Sequence, residues 1–470
     1  MFWQEFVSPR DVVDGFAGSR RGHAGSVLDW SLERIARFCR GRGDKVTVGD
    51  RSRESAFEKL MRREFRVDGV PAWVGPPKLA IILVLGVIAR VAQFLADRGN
   101  WLDEFSLEQN IVTKTFLELF GPLSSAQLAP PGFLVVEWGF FQLLGDRPLV
   151  LKIFPLLGGI ASLFLFVRVA QRCLRPSAVW IALALFAVSD DLIYYASELK
   201  QYSTDVAVVL LCDLLALDLV SRPATIFRLA RFTVVGAVAV WFSHPVAFVL
   251  AGLGLVLIAS ALAERAWKRG LFLTFMCLAW GASFVFVYAI SQEQLGHRGT
   301  MWEFWAFAFP PRPLTINGGA GWLIRSILYL FANPIEIKTP LGPTLSALLA
   351  FGFFLAGCAS FVRRGMNQAF WMLVAPVLIT LIVSCLRLYP FHGRLLLFLV
   401  PALLLLIAEG VAWVGELAGS RAFRVVLLGG LFLFPTLQAT YHLIEPRQRS
   451  IVNSRGDRRP EALEPSHFPF

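Results

Sequence analysis

Few residues of this chain are charged, and none of its apolar runs alternates with a two-residue period. Asp, Glu, Lys and Arg make up 17% of its 470 residues, against 56% hydrophobic, which excludes an ordinary soluble globular protein. The missing alternation excludes a membrane β-barrel, whose strands alternate over about ten residues. Cysteines are few: Cys39, Cys173, Cys212, Cys277, Cys358 and Cys385. No pair has metal-ligand spacing, so they read as small buried hydrophobes. A P-loop, a dinucleotide fingerprint and a repeat signature are all absent, which leaves a nucleotide-sugar donor site nowhere to sit. No cleavable signal peptide is visible; the first apolar run starts at Leu79 and is expected to act as an uncleaved anchor.

What is present is a series of apolar runs near 18 residues, enough to cross about 30 Å of hydrocarbon as helix. Spans are predicted at Leu79–Ala96, Leu149–Val167, Ala178–Ile193, Val206–Val220, Phe232–Phe242, Val246–Leu262, Leu271–Ile290, Leu345–Val362, Phe370–Leu386, Leu395–Val414 and Val425–Leu437. Ser243-His244-Pro245 divides one long run into two helices, because proline cannot donate and the residue before it leaves the helical region. The run Gly132–Gly145 follows Pro130-Pro131 and carries Glu137. It is too short and too polar to cross, and is predicted to lie along the membrane beside a second such helix, Glu104–Phe120.

The net charge is +11, and fifteen of the 45 Lys and Arg fall in residues 1–78. Thirteen more lie in five short connections: Arg168/Arg172/Arg175, Arg222/Arg228/Arg231, Arg265/Lys268/Arg269, Arg363/Arg364 and Arg421/Arg424. The much longer loops on the other side carry only ten before the tail. Positive charge of this kind encodes topology, not nucleic-acid binding, and no nucleic-acid partner is expected. The predicted fold is an all-α polytopic membrane protein of about 11 transmembrane helices, amino end inside and carboxyl end outside. Residues 1–78 form a basic cytoplasmic extension without a core, residues 79–441 the membrane domain and residues 442–470 a short external tail. Within the extension, Trp30, Leu32, Ile35 and Phe38 could form a surface amphipathic helix; alternatively, translation starts at Met61.

Every long loop then shares one face, where three polar groups stand out. Asp103 and Glu104 follow the first span beneath Trp101. Asp103 could cap the next helix, with Glu104 favouring its dipole, or a carboxylate here could hold a hydroxyl and take its proton. Glu198, Lys200 and Asp205 sit in the loop Tyr194–Asp205. They could pair with one another, or Lys200 could face a phosphate while Asp205 or Glu198 completes a carboxylate cluster; Asp190 and Asp191 stand nearby. Arg394, with Arg387 and His392 before it, breaks the positive-inside trend, and its fork suits a phosphate oxygen pair or a lipid headgroup. His244 could face the same cavity. Arg90, inside the first span, is functional by default unless a neighbouring helix pairs it. The QLAPPGF segment beginning at Gln127 reads as a rigid turn between the two surface helices.

Together the WLDE at 101–104, QLAPPGF at 127–133, SELKQYSTD at 197–205 and YPFHGRLLLFLVP at 389–401 resemble the glycosyltransferase C superfamily. The likeness is nearest to bacterial relatives of dolichyl-phosphate-mannose protein mannosyltransferases and to the lipid A aminoarabinose transferase. It spans roughly Leu79 to Val414. It implies an inverting transfer of a hexose or pentose from a polyprenyl-phosphate donor to an acceptor hydroxyl on a glycan, lipid or protein. It places the enzyme among the membrane lipids of a bacterial inner membrane, as part of cell-envelope chemistry, with the site facing the periplasm. The family's first-loop acid falls on Asp103, beside Glu104, as general base or metal ligand, and its second-loop acid on Asp205. Lys200 and Arg394 match positions near the donor phosphate, where His244 is a further candidate. A divalent cation, Mg or Mn, stays open, because the leaving group is already an anion. Relatives often carry a further carboxyl-terminal domain, whereas about thirty polar residues follow the last span here. The other readings are a carrier or flippase for lipid-linked sugars, and a catalytically inactive lipid-binding relative.

Overall fold

The computed structural model describes residues 77–445 except 146, 148, 223–224, 296–301 and 314, together with residue 447. The basic extension, with its amphipathic segment and Met61, and nearly all of the tail lie outside the described residues. The described residues contain helices and no strand. In chain order the helices are α1 Pro77–Leu95, α2 Leu102–Thr113, α3 Pro131–Leu144, α4 Ile153–Cys173, α5 Pro176–Val188, α6 Asp190–Tyr194, α7 Tyr202–Ser221, α8 Ile226–Phe242, α9 Val246–Ala263 and α10 Trp267–Leu295. They continue with α11 Ile316–Ala332, α12 Pro343–Arg363, α13 Asn367–Cys385, α14 Val400–Leu417 and α15 Arg421–Ile444.

Each of the eleven predicted spans coincides with a helix, but eight are long and apolar enough to cross a membrane on those criteria alone. A ninth is the pair α5 and Asp190–Ser197, bent by 57°. The other two differ for plain reasons: α7 carries Asp205, Asp213 and Asp218, and α8 has 17 residues. The chain is thus a polytopic helical membrane protein.

Burial follows composition. The sequence of α14, VPALLLLIAEGVAWVGEL, is apolar nearly all round, as a central helix must be; 94% of its spanning window is buried. The outermost, α15, is 11% buried in its window and shows Val425 and Val426 to the surroundings. In lipid the attraction between helices comes from close packing, so small residues mark the tightest crossings. At the α12–α14 crossing Gly357 faces Gly410, and a methyl on Gly410 would lie 1.9 Å from the Phe353 carbonyl oxygen. Arg90 is fully buried and donates to the carbonyls of Gly86, Phe186 and Ala187. It therefore fastens α1 to the end of α5, the pairing alternative foreseen for it.

The first loop departs from the expected pair of surface helices in one respect. The helix foreseen at Glu104–Phe120 stops at Thr113, and a separate 3-10 turn covers Leu117–Phe120. Glu118 causes the break: its carboxylate accepts from both the N–H and the hydroxyl of Thr115 at 2.8 Å, starting a new turn. The second helix stands as expected, 14 residues long, with Pro131 at its first position and Glu137 buried. One element was not foreseen: α11 lies within the loop 291–344. Thr315 caps it by accepting the N–H of Gly318 at 3.1 Å, and its glycines and Arg325 hide the apolar run in the sequence.

Candidate active site

Two loops are locked together before any catalytic group is placed. Glu104 is fully buried, and its carboxylate accepts from Arg98 at 2.8 and 3.2 Å, from the Trp101 N–H at 2.9 Å and from the Leu199 N–H at 2.8 Å. Arg98 also donates to the Ser197 carbonyl at 3.2 Å. Leu199 belongs to the same buried satellite core as Leu107, Ile111, Phe133 and Leu134 of the first loop. The segment 197–200 is thereby fixed to the start of α2 by charge-assisted bonds and by packing.

This arrangement divides the adjacent acids of the WLDE segment into different tasks. Glu104, three residues into the helix, reaches back to the Trp101 N–H and caps α2. The capping role foreseen for Asp103 therefore falls to its neighbour, whose lone pairs are filled. Asp103 keeps a side chain 31% exposed and is in contact with Arg394. Arg394 reaches it because Gly393, at φ +49°, turns the chain into the 3-10 segment before α14. The Arg394 guanidinium also lies 5.7 Å from the centre of the Tyr202 ring.

Lys200 completes the cationic side. It is buried, and its ammonium donates to the Gln127 side-chain oxygen at 2.6 Å. Burial lowers it to about 8, although the Asp103, Glu198 and Glu104 charges work the other way. Glu198 is 1% exposed, and its Oε1 accepts no hydrogen bond among the described residues. Burial raises it to about 7, with the Glu104 charge adding to the shift.

The remaining site candidates sit elsewhere. Asp205 is buried in the first turn of α7, bonded to Ser243, with Oδ1 unpaired. His244 pairs with Ser291 Oγ at 2.9 Å, and burial lowers it to about 4. Arg387 donates to the Pro310 carbonyl at 2.8 Å and packs over Phe309, which makes it a loop fastener. His392 stacks on Tyr329, their centroids 4.1 Å apart, with Phe307 edge-on at 4.9 Å. Gln127 was read as part of a turn. Its role as the partner of Lys200 has no sequence signal beyond its place in the QLAPPGF segment.

Metal donors are grouped away from Asp103. Among the described residues the group with three or more suitable ligands is Asp190, Asp191 and Glu336, whose oxygens lie within 4.8 Å of one another. Arg447 holds Asp190 and Asp191 at 2.6 and 2.8 Å. That group has the donor chemistry for a divalent cation, with a guanidinium already bound to it. At Asp103 two cations, Arg394 and Lys200, face a single accessible carboxylate, which does not fit a bound metal.

No family model matches the chain, and no curated protein does. Among solved structures it is similar to the oligosaccharyltransferase AglB from Archaeoglobus fulgidus in complex with an inhibitory peptide and a dolichol-phosphate, at 14% identity and a TM-score of 0.45, covering 78% of this chain and 56% of that one. It is also similar to ArnT from Cupriavidus metallidurans in the apo state, at 15% identity and a TM-score of 0.46, covering 78% and 69%. The chain spans about half the length of the oligosaccharyltransferase structures it matches.

Proposed function

We propose that this protein is a membrane glycosyltransferase that moves a hexose or pentose from a polyprenyl-phosphate donor to an acceptor hydroxyl, with inversion. The observation that carries the reading is the meeting of Asp103 with Arg394, beside buried Lys200, at a partly open point where two loops are rigidly held. An accessible carboxylate next to two cations is what a base and a phosphate leaving group require together.

Arg394 and Lys200 bind the donor phosphate. The phosphate draws Arg394 off Asp103, because the two oxygens of a phosphodiester, beside the Lys200 ammonium, suit a guanidinium fork. Asp103, freed, accepts the proton of the acceptor hydroxyl. The hydroxyl oxygen forms its bond to the anomeric carbon from the face opposite the phosphate. The bond from that carbon to the phosphate oxygen breaks, its electron pair staying on the oxygen, and polyprenyl phosphate leaves against Lys200 and Arg394. Holding base, hydroxyl and anomeric carbon in line supplies much of the acceleration. Glu198 and Asp205 act behind this first layer, setting the charge felt by Lys200 and Tyr202.

The basic connections support a reading in which Asp103 faces the exterior of a bacterial inner membrane, where lipid-linked sugars and envelope acceptors meet. A carrier places its polar groups near the bilayer midplane, often between repeated halves; here Asp103, Lys200 and Arg394 gather at one end of the spans. The test is transfer of radiolabelled sugar from a polyprenyl-phosphate donor to a membrane extract by purified protein in lipid. Transfer that requires Asp103 supports the reading; donor binding without transfer in wild type favours the carrier.

A further inference from the structure

The opposite end of α7 carries a charge imbalance that neither the fold nor the proposed reaction uses. Asp218 lies thirteen residues beyond Asp205 on α7, about 20 Å along the helix. Three helices deliver arginines to it: Arg231 at 3.0 Å, Arg222 at 3.5 Å, Arg172 at 3.6 Å and Arg228 at 3.7 Å. Among the described residues, Arg172, Arg222 and Arg231 share this one carboxylate, and Arg228, at its edge, has a further contact of its own. Ion-pair geometry for a closed network is reached elsewhere on these connections: Arg175 and Arg364 hold Glu409 at 2.8 and 2.9 Å, and Arg175 also contacts Glu416. There two cations face two carboxylates and the charges balance. At Asp218 they do not.

The surroundings say what kind of anion belongs there. Arg222 and Arg231 keep side chains 43% exposed. Close to them in sequence Ile226 and Phe227, the first residues of α8, are 60% and 73% exposed, and Val234 about two turns on is 61% exposed. Large apolar side chains left open next to guanidiniums mark the rim between hydrocarbon and headgroups, where cations draw in anionic lipids. We propose that Arg172, Arg222 and Arg231, gathered on Asp218, bind the phosphate of an anionic phospholipid, with its acyl chains lying along Ile226, Phe227 and Val234. Asp218 preorganises the arginines and cancels one of their charges, leaving the others for the phosphodiester. The site is independent of the reaction proposed at the other end of α7.

Native mass spectrometry of the full-length protein, exchanged from detergent into phosphatidylglycerol or phosphatidylcholine, tests this. Wild type retains phosphatidylglycerol in preference to phosphatidylcholine. Arg222→Gln with Arg231→Gln weakens that preference by about fivefold for each arginine removed, whereas Arg222→Lys with Arg231→Lys keeps most of it. Because Asp218 could be left short of partners in the double glutamine variant, Arg222→Gln alone is measured too, with the expected loss of about fivefold. Equal retention of the two lipids by wild type, or equal preference in wild type and Arg222→Gln, overturns the proposal. So does binding of soluble glycerol phosphate as tight as that of the lipid, since it would assign the arginines to a free anion.

Discussion

The Arg394 guanidinium rests on the Asp103 carboxylate, 291 residues away in sequence. Neither side chain is closed off: 20% of Arg394 and 31% of Asp103 remain exposed. A pair buried for stability would be sealed, as Arg98 and Glu104 are at 1% and 0%. The open pair is one that a ligand can enter and divide.

From that follows the expected behaviour of Arg394→Gln. Without substrate the change costs little stability, since partly exposed pairs contribute about 1 kcal/mol or less. With donor it removes a phosphate contact, and kcat/KM for the lipid-linked sugar falls on the order of a hundredfold. Arg394→Lys recovers part of this, because a point charge lacks the fork. Steady-state kinetics with varied donor, beside thermal unfolding of the same variants, separates the two effects.

Lys200 sets an alkaline limit. Its ammonium must be charged to receive the phosphate, and burial lowers its pKa to about 8. The charge is present below that value and is lost as pH rises through it. The expected profile of kcat/KM is therefore level near pH 7, about halved near 8 and falls about tenfold per unit above. Gln127→Ala removes the partner at 2.6 Å and strands the ammonium, moving this limb to lower pH. A limb unmoved by Gln127→Ala, or one near 10, would take Lys200 out of that role.

Glu104 is expected to matter for folding. Glu104→Gln leaves Arg98 buried without a counter-charge, a change that costs about 3–5 kcal/mol when one member of a buried pair is removed. The thermal midpoint of the purified protein drops clearly for Glu104→Gln and stays near wild type for Asp103→Asn. Equal midpoints in the two variants would remove the division of labour between these neighbours.

Much of this was legible in the sequence. Apolar runs and basic connections located every helix that overlays a predicted span, because length and charge in lipid leave few choices. Arg394 stood out as a cation on the wrong side of the charge rule, and Asp103 as part of an acidic pair beside Trp101 after the first span. What the sequence could not do was divide Asp103 from Glu104. That depends on Leu199 and Arg98 arriving to fill one carboxylate and leave the other. Gln127 looked like a turn residue, since its partner is 73 positions away. His244 was read as a candidate for the same cavity, and its contact with Ser291, 47 positions away, had no sequence signal. The helix α11 escaped because glycines at its start break the apolar pattern that would have announced it.

The most direct test of the central claim is transfer itself. Purified protein in lipid is given radiolabelled polyprenyl-phosphate sugars and a membrane extract, and wild type is compared with Asp103→Asn. Loss of the base is expected to lower transfer by about a hundredfold to ten-thousandfold, with donor binding and thermal midpoint retained. Equal transfer in the two proteins would contradict the assignment of Asp103 as the base.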